Sequence, residues 1–236
     1  MNNEIRNNCV DMWNAYLVRG CRYTNNDIPI STAIGGIPKE LIGWDDAKAI
    51  HKRELLNGNE NYHKHAYIHW YLDDQNFDGN HSGIWQHPEK ALDIIRHFDG
   101  IISPDFSTFA DFPKAIKLYN FYRMRVFDYW ISSNGIPVVY NIRWGTEETW
   151  SYCWDGIPHN AIVAIGTVGS NLRIKDNRLA FAEGLFKMVE ELNPIAIVVY
   201  GSAKYDCFEQ LKEKGIDIIV FPSKTAMAYE RRRNNE

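Results

Sequence analysis

Between residues 67 and 221 the chain alternates short apolar runs with longer segments whose apolar residues recur at helical spacing. The runs are "YIHWYL" (67–72), "GIIS" (100–103), "PVVYNIRW" (137–144), "AIVAIG" (161–166), "AIVVYG" (196–201) and "IDIIVF" (216–221). Strands covered on both faces read as continuous Val/Ile-rich stretches, and their alternation with helices predicts parallel βα units. Helix starts are marked by Pro88 before "EKALDIIRHF", Asp111 and Pro113 before a segment ending near Asn134, Thr146 before "EETWSYCW", Asp176 before "NRLAFAEGLFKMVEEL" and Ser202 before "AKYDCFEQLKEK". Gly100, Gly135 and Gly215 sit where helices would stop. The pattern predicts an α/β fold with a mainly parallel sheet. An incomplete or TIM-like (β/α) barrel is preferred over an open doubly wound sheet, because no Gly-rich dinucleotide fingerprint follows the first run and the preceding residues could supply missing strands. Either architecture places function at the C-terminal ends of the strands.

Residues 1–65 break the pattern: they are Asn-rich and contain "ISTAIGGIPKELIGW", which predicts an irregular cap or extra strands. Residues 66–223 form the expected α/β domain, and residues 224–236, with "AMAYERRRNNE", a charged tail that extends a helix or remains solvated.

Alternation within the runs separates two faces. In the first, Tyr67, His69, Tyr71 and Asp73 oppose Ile68, Trp70 and Leu72, so Asp73 is expected on the polar face and its neighbour Asp74 in the turn. Ser103 and Asp105 likewise oppose Ile102, Pro104 and Phe106, and Asn141 and Arg143 oppose Tyr140, Ile142 and Trp144. With Thr167, Ser202 and Ser223 ending later runs, the expected rim is Asp73, Asp105, Arg143, Thr167, Ser202 and Ser223. Strand ends also carry such residues merely for solvation and capping, and Asp105 and Arg143 could simply neutralise each other.

Two loops have the composition of anion cradles. "GTVGSNLRIKD" leads from Gly166 through Gly169 and Ser170 to Arg173 and Lys175, and "YGSAKY" places Gly201 and Ser202 at an expected helix start. Neither has Walker spacing. Asp73 and Asp105, with His69, could hold Mg²⁺ or Mn²⁺ for phosphoester chemistry. His63, His65 and His69 in "YHKHAYIHW" share one side of an extended chain and raise zinc as an alternative to ordinary surface and core histidines. "FYRMRVFDYW" (121–130) interleaves Arg123 and Arg125 with aromatics, which suits single-stranded nucleic acid or one packed face of a helix. There is no GxSxG, and no cysteine has an identifiable base partner.

Composition narrows the classes. Aromatic residues make up 14% of the chain, with 8 Trp and 13 Tyr, which supplies both core and stacking surfaces. A net charge of -4 gives no general basic field for duplex nucleic acid. Cys9, Cys21, Cys153 and Cys207 are scattered without metal-binding spacing, as in a reducing cytoplasm. No signal peptide or membrane-length apolar run is present, so a cytoplasmic protein with no membrane partner is expected.

Several motifs occur in order: "DD" (73–74) followed by Phe77 and Trp85, "PDFS" (104–107), "IPVVYNIRWG" (136–145), "DGIP" (155–158), "GT" (166–167), "YGS" (200–202) and "FPS" (221–223). On these the chain, over about residues 27–223, resembles the phage- and mobile-element-associated family called domain of unknown function 4417. The resemblance implies a protein of a phage or integrated element acting inside a bacterial host. It matches Asp73, Asp74, Asp105, Arg143, Gly201 and Ser202 to family motifs without giving them roles, and the stretch between Phe77 and Trp85 is longer than the family's usual spacing. Two functions follow as expectations. One is an enzyme on a small phosphorylated or nucleotide-like ligand, with Asp73, Asp105 and Arg143 catalytic and His69, Asn141, Thr167, Ser170, Arg173, Lys175, Gly201 and Ser202 holding the ligand. The other is a non-catalytic accessory protein that sequesters a nucleotide or binds host protein or single-stranded nucleic acid.

Overall fold

The computed structural model describes residue 11 and residues 13–32, 35–79, 81 and 83–234. Seven strands form one sheet in the order of the chain: β1 (Leu41–Gly43), β2 (Lys64–His69), β3 (Phe98–Ile102), β4 (Val138–Asn141), β5 (Ile162–Gly166), β6 (Ala196–Tyr200) and β7 (Asp217–Phe221). Every adjacent pair is parallel. Right-handed crossovers in strictly sequential order place the connecting helices on one face and curl the sheet around the other, which gives a half-barrel; a doubly wound sheet requires the order to reverse. The helices are α1 (Trp44–Leu56), α2 (Pro88–Ile95), α3 (Lys114–Ser133), α4 (Lys175–Leu192), α5 (Asp206–Glu213) and α6 (Lys224–Asn234).

Strand parity sorts the apolar residues into two cores. Ile68, Trp70, Ile101, Val138, Tyr140, Val163, Ile197 and Val199 face the helices and join Ala91, Leu92, Met124, Phe127, Leu185 and Phe208. Tyr67, Ile102, Val139, Ala164 and Val198 point the other way into the concavity. Fully buried side chains such as Trp70, Phe127 and Phe208 each contribute about 1.5–3 kcal/mol by leaving water. Local signals agree with the elements: α2 opens with Pro88 in its first turn, where no amide hydrogen is needed, and buries Pro88, Ala91, Leu92 and Ile95 along one stripe.

Residues 1–65 hold the extra strand β1 and, after it, α1, and the segment before them crosses the N-terminal side of the barrel: Gly35 N–H donates to Val138 O (2.8 Å) and Gly36 N–H to the Tyr67 hydroxyl (3.1 Å). Two expected helix starts change. The segment after Thr146 makes only a short 3-10 turn, Glu147–Thr149. Ser202 does not start a helix; α5 begins four residues later at Asp206, because the Ser202 amide is already bonded to the Thr167 hydroxyl (2.9 Å). The charged tail is helical as α6. Among the described residues no helix is long and apolar enough to cross a membrane.

Candidate functional site

At the C-terminal ends of the strands, alternation along β4 turns its last residue, Asn141, inward while Tyr140 and Ile142 enter the helix-side core. Asn141 accepts from the Tyr71 hydroxyl (3.0 Å) and donates through Nδ2 to Asp105 Oδ1 (2.6 Å). The other Asp105 oxygen pairs with Arg143 Nη1 at 2.7 Å. Asp74 joins from the opposite side: its carboxylate accepts from the Ser107 hydroxyl (2.9 Å) and amide (3.2 Å). Burial, reinforced by the Asp105 charge, raises the Asp74 carboxyl above its ordinary value against the pull of the Ser107 bonds. Asp105 in turn holds the Arg143 guanidinium firmly charged. Behind the cluster, Arg123 grips Asp78 with two bonds (2.7 and 2.9 Å) and stacks 4.0 Å from the Phe106 ring centre, which fixes the loops that carry Asp74 and Asp105.

Asp73 lies outside this cluster and is exposed. The β2 ladder ends at His69, and the Leu72 amide closes a tight turn onto Trp70 O (2.7 Å), so the alternation that aims Tyr67, His69 and Tyr71 inward does not extend to Asp73. Asp74, read from sequence as the turn residue, is the acid beside Asp105. Both Asp105 oxygens are engaged, so a divalent ion there would have to displace Asn141 or Arg143. Ser103 also departs from the expected face: its hydroxyl accepts from the Asn141 amide (3.0 Å).

The later loops are built from internal bonds. Thr167 is buried and receives the Ser202 amide, Ser170 bonds Gly166 O (3.4 Å), and Gly201 has φ +120°, where an added Cβ would meet the Thr167 hydroxyl. Arg173, on the β5–α4 connection, and Lys175, the first residue of α4, are exposed. Arg123 and Arg125 are both buried in α3; Arg125 Nε lies 3.1 Å from Asp128 Oδ2, so this segment serves packing rather than an open nucleic-acid face.

A second feature lies where the half-barrel fails to close. Its edges, β1 and β7, are bridged by Lys224 at the head of α6, which reaches Asp45 (2.9 Å) and Asp46 (2.7 Å) at the head of α1. Gly43 admits this bridge, since a Cβ there would fall 2.6 Å from an Asp45 oxygen. Along the seam opens a cleft of about 710 Å³. His69, Tyr200 and Phe221 are among its lining, and Lys39, Arg53, Lys224 and Arg231 outnumber the acids Glu40 and Asp46 on its walls. His69 is buried with its Nδ1 accepting from the Tyr71 amide (3.2 Å); burial, helped by the Lys224 charge, lowers its pKa to about 4 and keeps the ring neutral. Tyr71 and Tyr200 stack at 4.9 Å, and His69 lies 4.4 Å from Tyr200, so one aromatic column connects the cleft to the Asp105–Arg143 cluster.

Of the residues expected from sequence, His69 lines this cleft; Asp105, Arg143 and Asn141 meet in the neighbouring cluster; and Thr167, Gly201 and Ser202 meet each other. Sequence reading missed Asp74, Lys39, Arg53, Tyr200, Phe221, Lys224 and Arg231. The basic run "ERRR" at 230–233 was the available signal for Arg231, but it reads as a solvated end until β1 and β7 are known to face each other.

Comparison with known proteins finds phage relatives. Over 138 residues it is 33% identical to the "Gene 1 protein" of Mycobacterium phage L5, covering 58% of each chain. It is equally similar, 33% over 138 residues, to the "Gene 1 protein" of Mycobacterium phage D29, covering 58% of this chain and 49% of that one. The match thus spans about half the length of these curated relatives. No solved structure matches the chain. The family model for domain of unknown function DUF4417 matches residues 22–222, from the segment before β1 to the end of β7, and the chain belongs to that family.

Proposed function

We propose that this protein binds an anionic, nucleotide-like small molecule in the cleft that runs along the seam of the half-barrel. The observation that carries this reading is the cleft itself, whose lining combines the aromatic rings of His69, Tyr200 and Phe221 with Lys39 and Arg231, two cations that have no ion-pair partner among the described residues. Its volume of about 710 Å³ suits a small-molecule ligand. A base or other flat ring would stack on Phe221, while phosphates would meet Lys39 and Arg231, which reach the cleft from exposed positions. Neutral His69 would offer a hydrogen bond through the ring nitrogen not engaged by the Tyr71 amide.

Sequestration is favoured over turnover because Asp105 and Arg143 neutralise each other and Asp105 has no free oxygen. One observation favours chemistry: Asp74 is half-buried with a raised pKa, which suits a general acid. A turnover reading therefore assigns proton transfer to Asp74, with Tyr71 and Asn141 positioning the ligand end that reaches the cluster. A thermal-shift panel of nucleoside mono-, di- and triphosphates tests binding, repeated on Lys39→Ala/Arg231→Ala. Stabilisation of the wild type that disappears in the double variant supports the proposal; a flat panel for the wild type overturns it. Product analysis of any stabilising nucleotide, with Asp74→Asn as control, separates turnover from sequestration.

A further inference from the structure

At the opposite end of the sheet, β2 begins with a cluster that plays no part in the site above. His63 Nε2 lies 2.8 Å and His65 Nδ1 3.3 Å from the same oxygen of Asp99 on β3. The donor atoms of all three residues lie within 4.8 Å of one another. The β2–β3 pairing carries a register irregularity between Lys64 and Tyr67, immediately beside these histidines. His69, which strict alternation would align with them, is instead buried at the far end of β2 against Tyr200. The third donor is therefore a carboxylate from the neighbouring strand.

We propose that His63, His65 and Asp99 form a binding site for a divalent transition metal of the Zn²⁺ class. Two imidazoles and one carboxylate suit zinc and its neighbours, whereas Mg²⁺ and Ca²⁺ call for oxygen donors throughout. Ligands about 2.0–2.1 Å from a tetrahedral ion lie about 3.3–3.4 Å apart, close to the observed 2.8 and 3.3 Å separations from Asp99, and the two imidazole donors, within 4.8 Å of each other, reach that spacing by side-chain rotation. Both ring nitrogens face the carboxylate and can each donate a hydrogen to it; a neutral imidazole that binds the ion through that nitrogen carries its one hydrogen on the other ring nitrogen instead. His63 and His65 are exposed, which gives the ion access and leaves a coordination position for water. Such a site would tie the loop before β2 to β3 at the N-terminal side of the half-barrel. The inference is independent of the seam cleft.

Calorimetric titration of the untagged, chelator-treated full chain with Zn²⁺ tests it, with circular dichroism confirming that each variant is folded. The expected result is one zinc per chain, with His65→Ala and Asp99→Asn each weakening binding by about tenfold or more and the exposed control His159→Ala leaving it unchanged. No zinc uptake by the wild type, or equal uptake by the wild type and the two ligand variants, overturns the inference and leaves the cluster as a pair of His–Asp hydrogen bonds.

Discussion

Over β3 and β4, Arg143 is 2.7 Å from Asp105, and Asn141 takes the remaining Asp105 oxygen. Across the seam, Lys39 and Arg231 stand exposed on a cleft wall with no ion-pair partner among the described residues. The cleft reaches the end of the sheet that holds the cluster through His69 and Tyr200, and the two regions share the aromatic column of Tyr71, Tyr200 and His69. One has used its charges internally, where they hold loops in place; the other presents them to solvent. Charged residues at strand ends are therefore not equivalent evidence of function, and the state of their partners distinguishes scaffold from binding surface.

The largest effect should come from breaking the internally matched region. Arg143→Ala leaves Asp105, whose side chain is 13% exposed, without its cation, and should lower unfolding stability by about 2–3 kcal/mol after allowance for partial solvent screening. Lys39→Ala and Arg231→Ala should each stay within about 0.5 kcal/mol of wild type. Urea titrations measure both, and equal losses at the two regions would erase the distinction.

The next effect concerns pH. Behind the rim, burial pushes the Asp128 carboxyl up to about 6 against the pull of Arg125, whereas His69 below the cleft is held down to about 4. Between the ordinary aspartate value of 3.8 and about 6, the folded chain holds a proton on Asp128 that the unfolded chain has lost. This contribution is full at low pH and fades as pH rises through 6. His69 acts oppositely: between 6.5 and about 4 the unfolded chain takes up a proton that the folded chain refuses, so stability falls as pH drops through that window. Melting curves from pH 4 to 7 should show partial cancellation in the wild type. Asp128→Asn should expose the acid-side loss due to His69, and His69→Gln should expose the gain due to Asp128. Parallel curves for all three proteins would contradict both assignments.

The smallest effect belongs to the bridge across the seam. Lys224 and its partners Asp45 and Asp46 are each about half exposed, so Lys224→Ala should cost no more than about 1 kcal/mol, and less in high salt. A loss several times larger would mean that the bridge, rather than the cores, holds the half-barrel closed.

Much of this fold was legible because it depends on period-two patterns that propagate along hydrogen-bonded ladders. The six apolar runs correspond to β2 to β7, and the inward set Tyr67, His69, Tyr71 and Asn141 follows from alternation. The pattern stops being informative where the ladder stops. Asp73 and Asp74 exchange their expected places because a turn onto Trp70 O and bonds from Ser107 decide the geometry there, and neither leaves a local signature. β1 is only three residues long, too short to stand out in an irregular segment. The seam cleft joins Lys39 near one end of the chain with Arg231 near the other, a juxtaposition produced only by the closing of a seven-stranded sheet.

The central claim, that the seam rather than the Asp105–Arg143 cluster holds the ligand's charge, is tested most directly by calorimetric titration of the nucleotide that gives the largest thermal shift. The account predicts that Lys39→Ala and Arg231→Ala each weaken binding by about tenfold, roughly 1.4 kcal/mol, while folded Arg143→Ala protein binds within about twofold of wild type. Unchanged binding in the two seam variants, together with loss in Arg143→Ala, would contradict it.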